Sequence, residues 1–317
     1  MNSGISFLRS KREDSLMEVA VIVPCYNEEL TIRKVVTDFR KALPAAKIYV
    51  IDNNSNDRTG EEALAAGAIV KKECRQGKGF VVQSAFSEII ADIYVMVDGD
   101  DTYTASDVHN LMLPIINGDA DIATSIRLVD HQPKAFRKLH FLGNRLITRA
   151  INSVFNSNLK DVLTGFRVFN KRFVKLIPIT STGFAIETEM TLQGLRHGFV
   201  FREIVSPYRE RPEGSKSKLN TFRDGFIILK KIISIFVNYR PLNFFSTVAA
   251  FFFILSIFAG TVVIYEYIRY SYIYRIPTAI LASGSMLMSG ISMMLGIVLH
   301  VVNSRIKEIE YLLSVKK

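Results

Sequence analysis

The sequence contains no tryptophan, only two cysteines in 317 residues, and no apolar run in its first sixteen. Cys25 and Cys74 are too few for a disulfide framework, and neither has the neighbours of a zinc site. Residues 1–16 are polar and mixed in charge, without the apolar core of a signal peptide. They read as a disordered leader, and the globular part that follows is expected in the cytoplasm. Two phosphate-cradling motifs are missing as well. No Gly-x-Gly-x-x-Gly follows the first apolar strand, which removes the main support for dinucleotide binding. Gly77-Lys78-Gly79 lacks the preceding glycine and following Ser/Thr of a P-loop, which excludes the usual NTPase.

Charge is present in excess of one sign. Forty Lys and Arg against thirty Asp and Glu leave +10, which suits nucleic acid, anionic lipid or a phosphorylated substrate equally well. Yet residues 241–265 and 276–299 hold no Asp, Glu, Lys, Arg or His. A membrane-spanning helix needs about 20 apolar residues, so each run suffices, and 241–303 is expected to form a transmembrane hairpin. The link Glu266–Arg275 is rich in tyrosine, as interfacial segments are. Bases concentrate before the hairpin (Arg223, Lys230, Lys231, Arg240) and after it (Arg305, Lys307, Lys316, Lys317), which puts both chain ends, including the tail 304–317, in the cytoplasm. Ser285, Ser289 and Gly290 are small enough for the two helices to approach closely, and such a hairpin is suited to self-association. Residues 221–240 read as an amphipathic helix lying in the membrane interface.

Within residues 17–220 the pattern is that of a soluble α/β domain. Val19–Val23, Ile48–Ile51, Ala68–Val70, Ile93–Val97 and Ile122–Thr124 are strand-length apolar runs. Helical spacing lies between them, at Glu28–Leu43, Asp57–Ala66, Gly79–Ile90 and Ala105–Ile116. Alternation of this kind implies a mostly parallel, doubly wound sheet, with ligands beyond the carboxyl ends of its strands. Those ends carry Pro24-Cys-Tyr-Asn-Glu28, Asp52-Asn-Asn-Ser-Asn-Asp57 and Asp98-Gly-Asp-Asp-Thr-Tyr103. Asp98 and Asp100, one residue apart past a buried strand, can share a hard divalent cation that keeps positions open for substrate phosphates. Asp101 is a third ligand or, the better-supported choice, a cap for the following helix.

Pro24-x-Tyr26-Asn27-Glu28, Asp52-x-x-Ser55-x-Asp57-x-Thr59, Gly77-Lys78-Gly79 and Asp98-x-Asp100 together resemble family 2 glycosyltransferases of the GT-A fold. Arg127, Asp161-x-x-Thr164-Gly165-Phe166-Arg167, Glu189 and Arg211-x-x-Gly214-x-x-Ser217-Lys218-Leu219 resemble the polyprenyl-phosphate branch, some of whose members have a two-helix C-terminal anchor. The match runs from about Val19 to Leu219.

The resemblance implies a Rossmann-like GT-A domain in which Pro24, Tyr26, Glu28 and Asp52 hold the base and ribose of a UDP- or GDP-linked sugar. It implies that Asn27, Asn54, Lys78, Gly99 and Ser217 also line the substrate site. Asp98 and Asp100 would hold Mg²⁺ or Mn²⁺, and Arg127, Arg167, Arg211 and Lys218 would handle phosphate. Glu187 and Glu189 are candidates to orient the acceptor or a basic residue. Glu189 matches the family better, and Glu187 reads equally as a solvated helix position. Tyr103 reads equally as packing or sugar contact. The sequence departs from the family at Asn53-Asn54, where Asp-Gly is frequent, and at Thr102, where some members complete the metal shell with glutamine.

The expected reaction is inverting transfer of a sugar to a polyprenyl phosphate, whose ionised oxygen needs little help from a general base. The basic stretch Pro207–Arg240, with eight Lys/Arg against three acids, suits a lipid phosphate and anionic membrane lipid alike. A processive synthase would need a Gln-x-x-Arg-Trp motif, excluded here by the absence of tryptophan. A transferase acting on hydroxyl acceptors and a non-catalytic nucleotide-sugar-binding scaffold are the alternatives. Nucleic-acid binding would explain the charge but neither the apolar runs nor the carboxylates.

Overall fold

Val19–Cys25 is apolar at every position and almost entirely buried, the signature of a strand covered on both faces. The computed structural model describes residues 17–128, 135–180, 186–209, 230 and 232–315. In chain order it holds β1 (Val19–Cys25), α1 (Ile32–Ala42), β2 (Lys47–Asp52), α2 (Thr59–Ala65), β3 (Ile69–Lys72), α3 (Lys78–Glu88) and β4 (Ile93–Met96). After a 3₁₀ turn at Ala105–Asp107 come α4 (Val108–Ile116), β5 (Ile122–Leu128), α5 (Ala135–Phe155), β6 (Arg167–Asn170), α6 (Lys171–Leu176), α7 (Ile186–Arg196), β7 (Phe201–Pro207), α8 (Pro241–Tyr270) and α9 (Ile276–Val315).

The seven strands form one sheet in the order β3-β2-β1-β4-β6-β5-β7. Every pairing is parallel except those of β6, which runs antiparallel to both β4 and β5. The side-chain period of two divides β1 between two cores. Val19, Val21 and Val23 pack with α1 (Ile32, Val36, Phe39) and α4 (Val108, Leu111, Met112). Ala20 and Ile22 pack with α3 (Val81, Val82, Ala85), α6 (Phe173, Val174) and α7 (Ile186, Met190) on the other face. The fold is thus a mostly parallel α/β sheet covered on both sides. The chain winds outward from β1 through β2 and β3, then returns to β4 on the opposite side of β1. In sheets of this kind ligands bind at the carboxyl ends of the strands that flank such a reversal, here β1 and β4.

The strand expected to stop at Pro24 continues to Cys25. Proline is tolerated there because β4 has already ended: its pairing with β1 covers only Val19–Ile22, so no donor is needed on that side. The first helix starts at Ile32 rather than Glu28; in the loop before it the N–H groups of Glu28 and Glu29 donate to the side chains of Thr59 and Asp57.

Two compact units are formed, one by residues 1–148 and 158–221, the other by 149–157 and 222–317. In the second, the most apolar 18-residue stretches of α8 and of Ile276–Ile306 in α9 have mean hydropathies of 2.4 and 1.9, and both helices are long and apolar enough to cross a membrane. Phe258, Ile268 and Leu287 lie largely exposed on their exterior, an apolar surface of the kind that membrane or protein contact covers. Ser256 Oγ donates to Ala282 O (2.8 Å) and Ser289 Oγ to Ala249 O (2.9 Å), so these two buried hydroxyls are satisfied by backbone carbonyls of the facing helix. Ser285 and Ser289 are buried as expected for close approach, but Gly290 is exposed, and a Cβ added there would meet nothing within 4 Å. One residue past Ser289, it is turned about 100° off the seam. Gly296 takes that part instead, since a Cβ there would lie 2.9 Å from Phe245 Cβ. The end of α5 joins this unit through Arg240 Nε, which donates to Val154 O (2.7 Å), and through a Phe155–Tyr239 ring contact. Of the amphipathic segment expected at 221–240, residues 232–239 are helical, and most of the remainder lies outside the described residues.

Gly194 on α7 tests the packing of helix on sheet. A Cβ there would come within 2.7 Å of Phe201 Cζ on β7 and 2.9 Å of Ile122 Cδ1 on β5. Gly194→Ala is expected to cost about 1–3 kcal/mol, read as a lowered thermal midpoint by far-UV circular dichroism of the detergent-solubilised chain.

Candidate active site

The loops after β1 and β2 are laced into one wall. Asn27 N–H donates to Ser55 Oγ (3.0 Å), Asn56 N–H to Asn27 Oδ1 (2.9 Å) and Glu28 N–H to Thr59 Oγ1 (2.8 Å). Asp52, buried at the end of β2, accepts from Ser55 N–H (3.1 Å). Pro24, Tyr26 and Glu28 are half-buried along the first loop, and Asn27 is exposed. Asn53 pins a third segment: its Nδ2 donates to Glu73 O (2.9 Å) and Arg75 O (2.8 Å), and its Oδ1 accepts from Gly77 N–H (2.7 Å). Asn54 adopts a left-handed φ of 60°, a conformation suited to glycine or asparagine, and donates to Cys74 O (2.7 Å). The Asn-Asn pair therefore keeps the turn while adding side-chain bonds that Gly could not supply.

Past β4, the backbone of Gly99 passes so close to Cys25 that a Cβ would lie 2.7 Å from its Sγ, and Gly99 O accepts from Thr31 Oγ1 (2.6 Å). Only glycine fits between the two aspartates. Burial pushes the Cys25 thiol well up, with Glu28, Asp52, Asp98 and Asp100 adding to the effect, so it stays neutral. Asp98 Oδ1 meets Lys78 Nζ at 2.5 Å, and Lys78 Nζ meets Glu187 Oε1 at 2.5 Å. Burial disfavours the ammonium, but the two carboxylates outweigh it and hold its pKa above the ordinary lysine value. The other Asp98 oxygen packs on Gly165, where a Cβ would come within 2.1 Å of Oδ2. Asp100 is 3% exposed and accepts from Thr102 Oγ1 (2.6 Å) and N–H (3.3 Å). Thr102 thus serves to orient Asp100.

The expectation that Asp101 caps the following helix is corrected. Asp101 has φ 56° and pairs with Lys34 Nζ (2.7 Å) on α1. Thr104 and Asp107 take the cap positions of the 3₁₀ turn and α4, neither with a side-chain cap. The left-handed backbone at 101 turns that side chain back toward α1.

The basic residues assigned to phosphate are held in different ways. Arg127, half-buried, grips Asp161 bidentately (Nε–Oδ2 2.7 Å, Nη2–Oδ1 2.9 Å), and Asn144 Nδ2 adds a bond to the same carboxylate (3.0 Å). Arg167 is 0% exposed, and its guanidinium donates to Thr164 O, Val162 O and Thr191 Oγ1. In this structure Arg167 stabilises the turn that presents Gly165 to Asp98. Tyr103 is buried, its hydroxyl accepting from Gly165 N–H (2.9 Å) and lying 3.3 Å from Thr164 Oγ1, so it supports the same turn. Glu189, the better family match, accepts from Thr180 N–H (2.9 Å) and Oγ1 (2.5 Å). Glu187, equally readable as solvated, is instead buried in the Asp98–Lys78 cluster. Its signal in the sequence was the Glu187-x-Glu189 pair, which does not say which carboxylate turns inward. Arg211, Ser217 and Lys218 lie outside the described residues.

Asp98 and Asp100 supply hard oxygen donors of the kind Mg²⁺ and Mn²⁺ prefer, and the cluster already accommodates one cation, the Lys78 ammonium. The donor chemistry fits a divalent ion with open positions for phosphate. No group of three or more His, Cys, Asp or Glu arranged as a metal cage occurs among the described residues.

The Glycosyl transferase family 2 model matches residues 20–177. Glycosyltransferase AglJ of Haloferax volcanii is 36% identical over 231 residues, covering 73% of this chain and 76% of the relative. The chain belongs to glycosyl transferase family 2. A dolichyl-phosphate hexose transferase of the same organism is 28% identical to this glycosyltransferase over 224 residues, covering 70% and 96% of the two chains. Among solved structures, glucosyl-3-phosphoglycerate synthase from Mycobacterium tuberculosis in complex with Mn²⁺, UDP and phosphoglyceric acid matches with TM-score 0.56 and 18% identity. That match covers 70% of this chain and 78% of the synthase, and carries the fold alone.

One carboxylate beneath the site gives this glycosyltransferase a defined acid response. Arg75 binds Glu73 through Nε (3.0 Å) and Nη2 (2.9 Å), and Ser84 Oγ adds a further bond. Arg75 first, then Ser84, hold the Glu73 carboxyl down to about 2 against burial. A carboxyl depressed on folding contributes stability that is full above its unfolded value of 4.5 and is lost as pH falls toward 2. Glu73→Gln is therefore expected to lower stability at pH 7 and flatten its fall between pH 4.5 and 2, measured by urea unfolding across that range.

Proposed function

We propose that this glycosyltransferase moves a sugar from a UDP- or GDP-linked donor to a polyprenyl phosphate, with inversion, at the cytoplasmic face of a membrane crossed by α8 and α9. The observation that carries the acceptor class is the commitment of the site's carboxylates. Glu187 is paired with Lys78, Asp161 with Arg127, and Glu189 with Thr180. A hydroxyl acceptor calls for a carboxylate that can take its proton. A phosphate monoester has a second pKa of about 6 and arrives largely ionised, so it needs no such base. The apolar helix pair supports a lipid-borne acceptor. Similarity to the dolichyl-phosphate hexose transferase supports the same class.

In this reading Asp98 and Asp100 hold Mg²⁺ or Mn²⁺, which when bound supplies charge neutralisation for the departing nucleoside diphosphate. Lys78, kept protonated beside the same carboxylate, faces the diphosphate as a second positive charge. The laced loops Pro24–Glu28 and Asp52–Thr59 seat base and ribose on a rigid wall. Arg127, oriented by Asp161, and Arg211, Ser217 and Lys218 of the basic stretch grip the acceptor phosphate. Glu189 acts on acceptor position through the Thr180 segment, and Arg167 acts through Gly165. With an ionised nucleophile, positioning and charge compensation dominate the rate.

Full-length protein in detergent, given undecaprenyl or dolichyl phosphate and a panel of labelled UDP- and GDP-sugars, is expected to form a lipid-linked sugar. EDTA should abolish formation and Mn²⁺ or Mg²⁺ restore it. Asp100→Ala should lower turnover by about 100-fold or more. Undiminished turnover after chelation or in Asp100→Ala removes the metal from the reaction, and product formed only on hydroxyl acceptors removes the polyprenyl phosphate.

A further inference from the structure

Asp98, past the end of β4, and Glu187, in the first turn of α7, share the ammonium of Lys78 at 2.5 Å each, and Asp100 follows Asp98 two residues on in the sequence. The surplus of these three carboxylates over that ammonium, two negative charges, equals the charge of one divalent ion. Asp98 Oδ2 is packed against Gly165, while Oδ1 is taken by Lys78. A metal ion that comes to Asp98 therefore meets a carboxylate already holding a cation.

Lys78 is built for exchange rather than permanent pairing. Lysine offers a compact charge on a flexible stem, whereas an arginine would grip one carboxylate with a planar fork. A buried ammonium that lost its only partner would be left uncompensated, at a heavy penalty. Glu187, itself buried, removes that penalty because it already holds the same nitrogen.

We propose that Lys78 is a built-in occupant of the divalent-ion site, neutralising Asp98 while no metal is bound and passing to Glu187 when the ion arrives. Glu187 is then a positioning residue that sets how readily the ion enters. The inference rests on the reading of Asp98 and Asp100 as the metal site.

Metal binding measured without donor or turnover tests it. Full-length protein in detergent is titrated with Mn²⁺ alone, free Mn²⁺ being read from its electron paramagnetic resonance signal. The double variant Lys78→Met/Glu187→Gln has the same net charge as the wild type: it removes the buried Glu187 charge together with its partner and leaves only the part-exposed Asp98 without Lys78. Displacement predicts that it binds Mn²⁺ about tenfold more tightly, whereas remote electrostatics alone predicts no change. Glu187→Gln alone, which confines the ammonium to Asp98, is expected to bind about tenfold more weakly. Wild-type affinity in the double variant, or in Glu187→Gln, overturns the exchange while leaving the metal site intact. Absence of Mn²⁺ binding in both the wild type and the double variant, or binding undiminished in Asp98→Asn, overturns the metal-site reading itself and the exchange with it.

Discussion

The Lys78 ammonium, suspended between Asp98 and Glu187, is the contact on which the geometry of the site depends. It ties the first turn of α3 to the end of β4 and to the first turn of α7, three elements far apart in the sequence. Breaking such a buried pair from one side leaves a carboxylate stranded in a poorly solvated place, at a cost of about 3–5 kcal/mol. The arrangement also forces two glycines. Gly99 must let its backbone lie on Cys25, and Gly165 must let Asp98 reach the sheet edge, so the acidic triplet and the Asp161–Arg167 turn have to be built together.

Around this cluster most polar side chains serve geometry rather than contact with a ligand. Asn53 fastens the Glu73–Gly77 segment, Thr102 orients Asp100, Asp161 aims Arg127, and Arg167 and Tyr103 support the turn beneath Asp98. Parallel sheets make such scaffolding necessary. Their strands end in loops whose backbone groups lose ladder partners, and side chains must take up those bonds if the loops are to hold a ligand in one orientation. On the proposed reading, the same commitment of carboxylates suits an acceptor that carries its own negative charge. In the apolar helix pair the hydroxyls of Ser256 and Ser289 are satisfied by backbone carbonyls, and such a pair suits the lipid-borne acceptor proposed above.

Much of the fold was legible from periodicity. The alternation from Val19 to Thr124 gave strands and helices within a few residues of their observed ends, because strands buried on both faces read as continuous apolar runs. Beyond β5 the pattern weakens. β6 is four residues long, begins with a fully buried arginine and runs antiparallel, so its pairing between β4 and β5 has no local signal. Similar limits apply to individual residues. The burial of Glu187, the diversion of Asp101 to Lys34 and the outward face of Gly290 each depend on the rotation of a residue about a helix or turn.

The sequence alone determined the family, the α/β class, the acidic pair after the fourth strand and the two uncharged apolar runs, because each is encoded in residues adjacent or periodic along the chain. The tertiary structure decided which carboxylate shares Lys78, why residues 99 and 165 are glycine, and which arginine stays half-buried on Asp161 and which is fully buried. Those outcomes depend on segments separated by tens of residues meeting at one sheet edge, where burial and charge compensation select a single arrangement from several that the sequence permits.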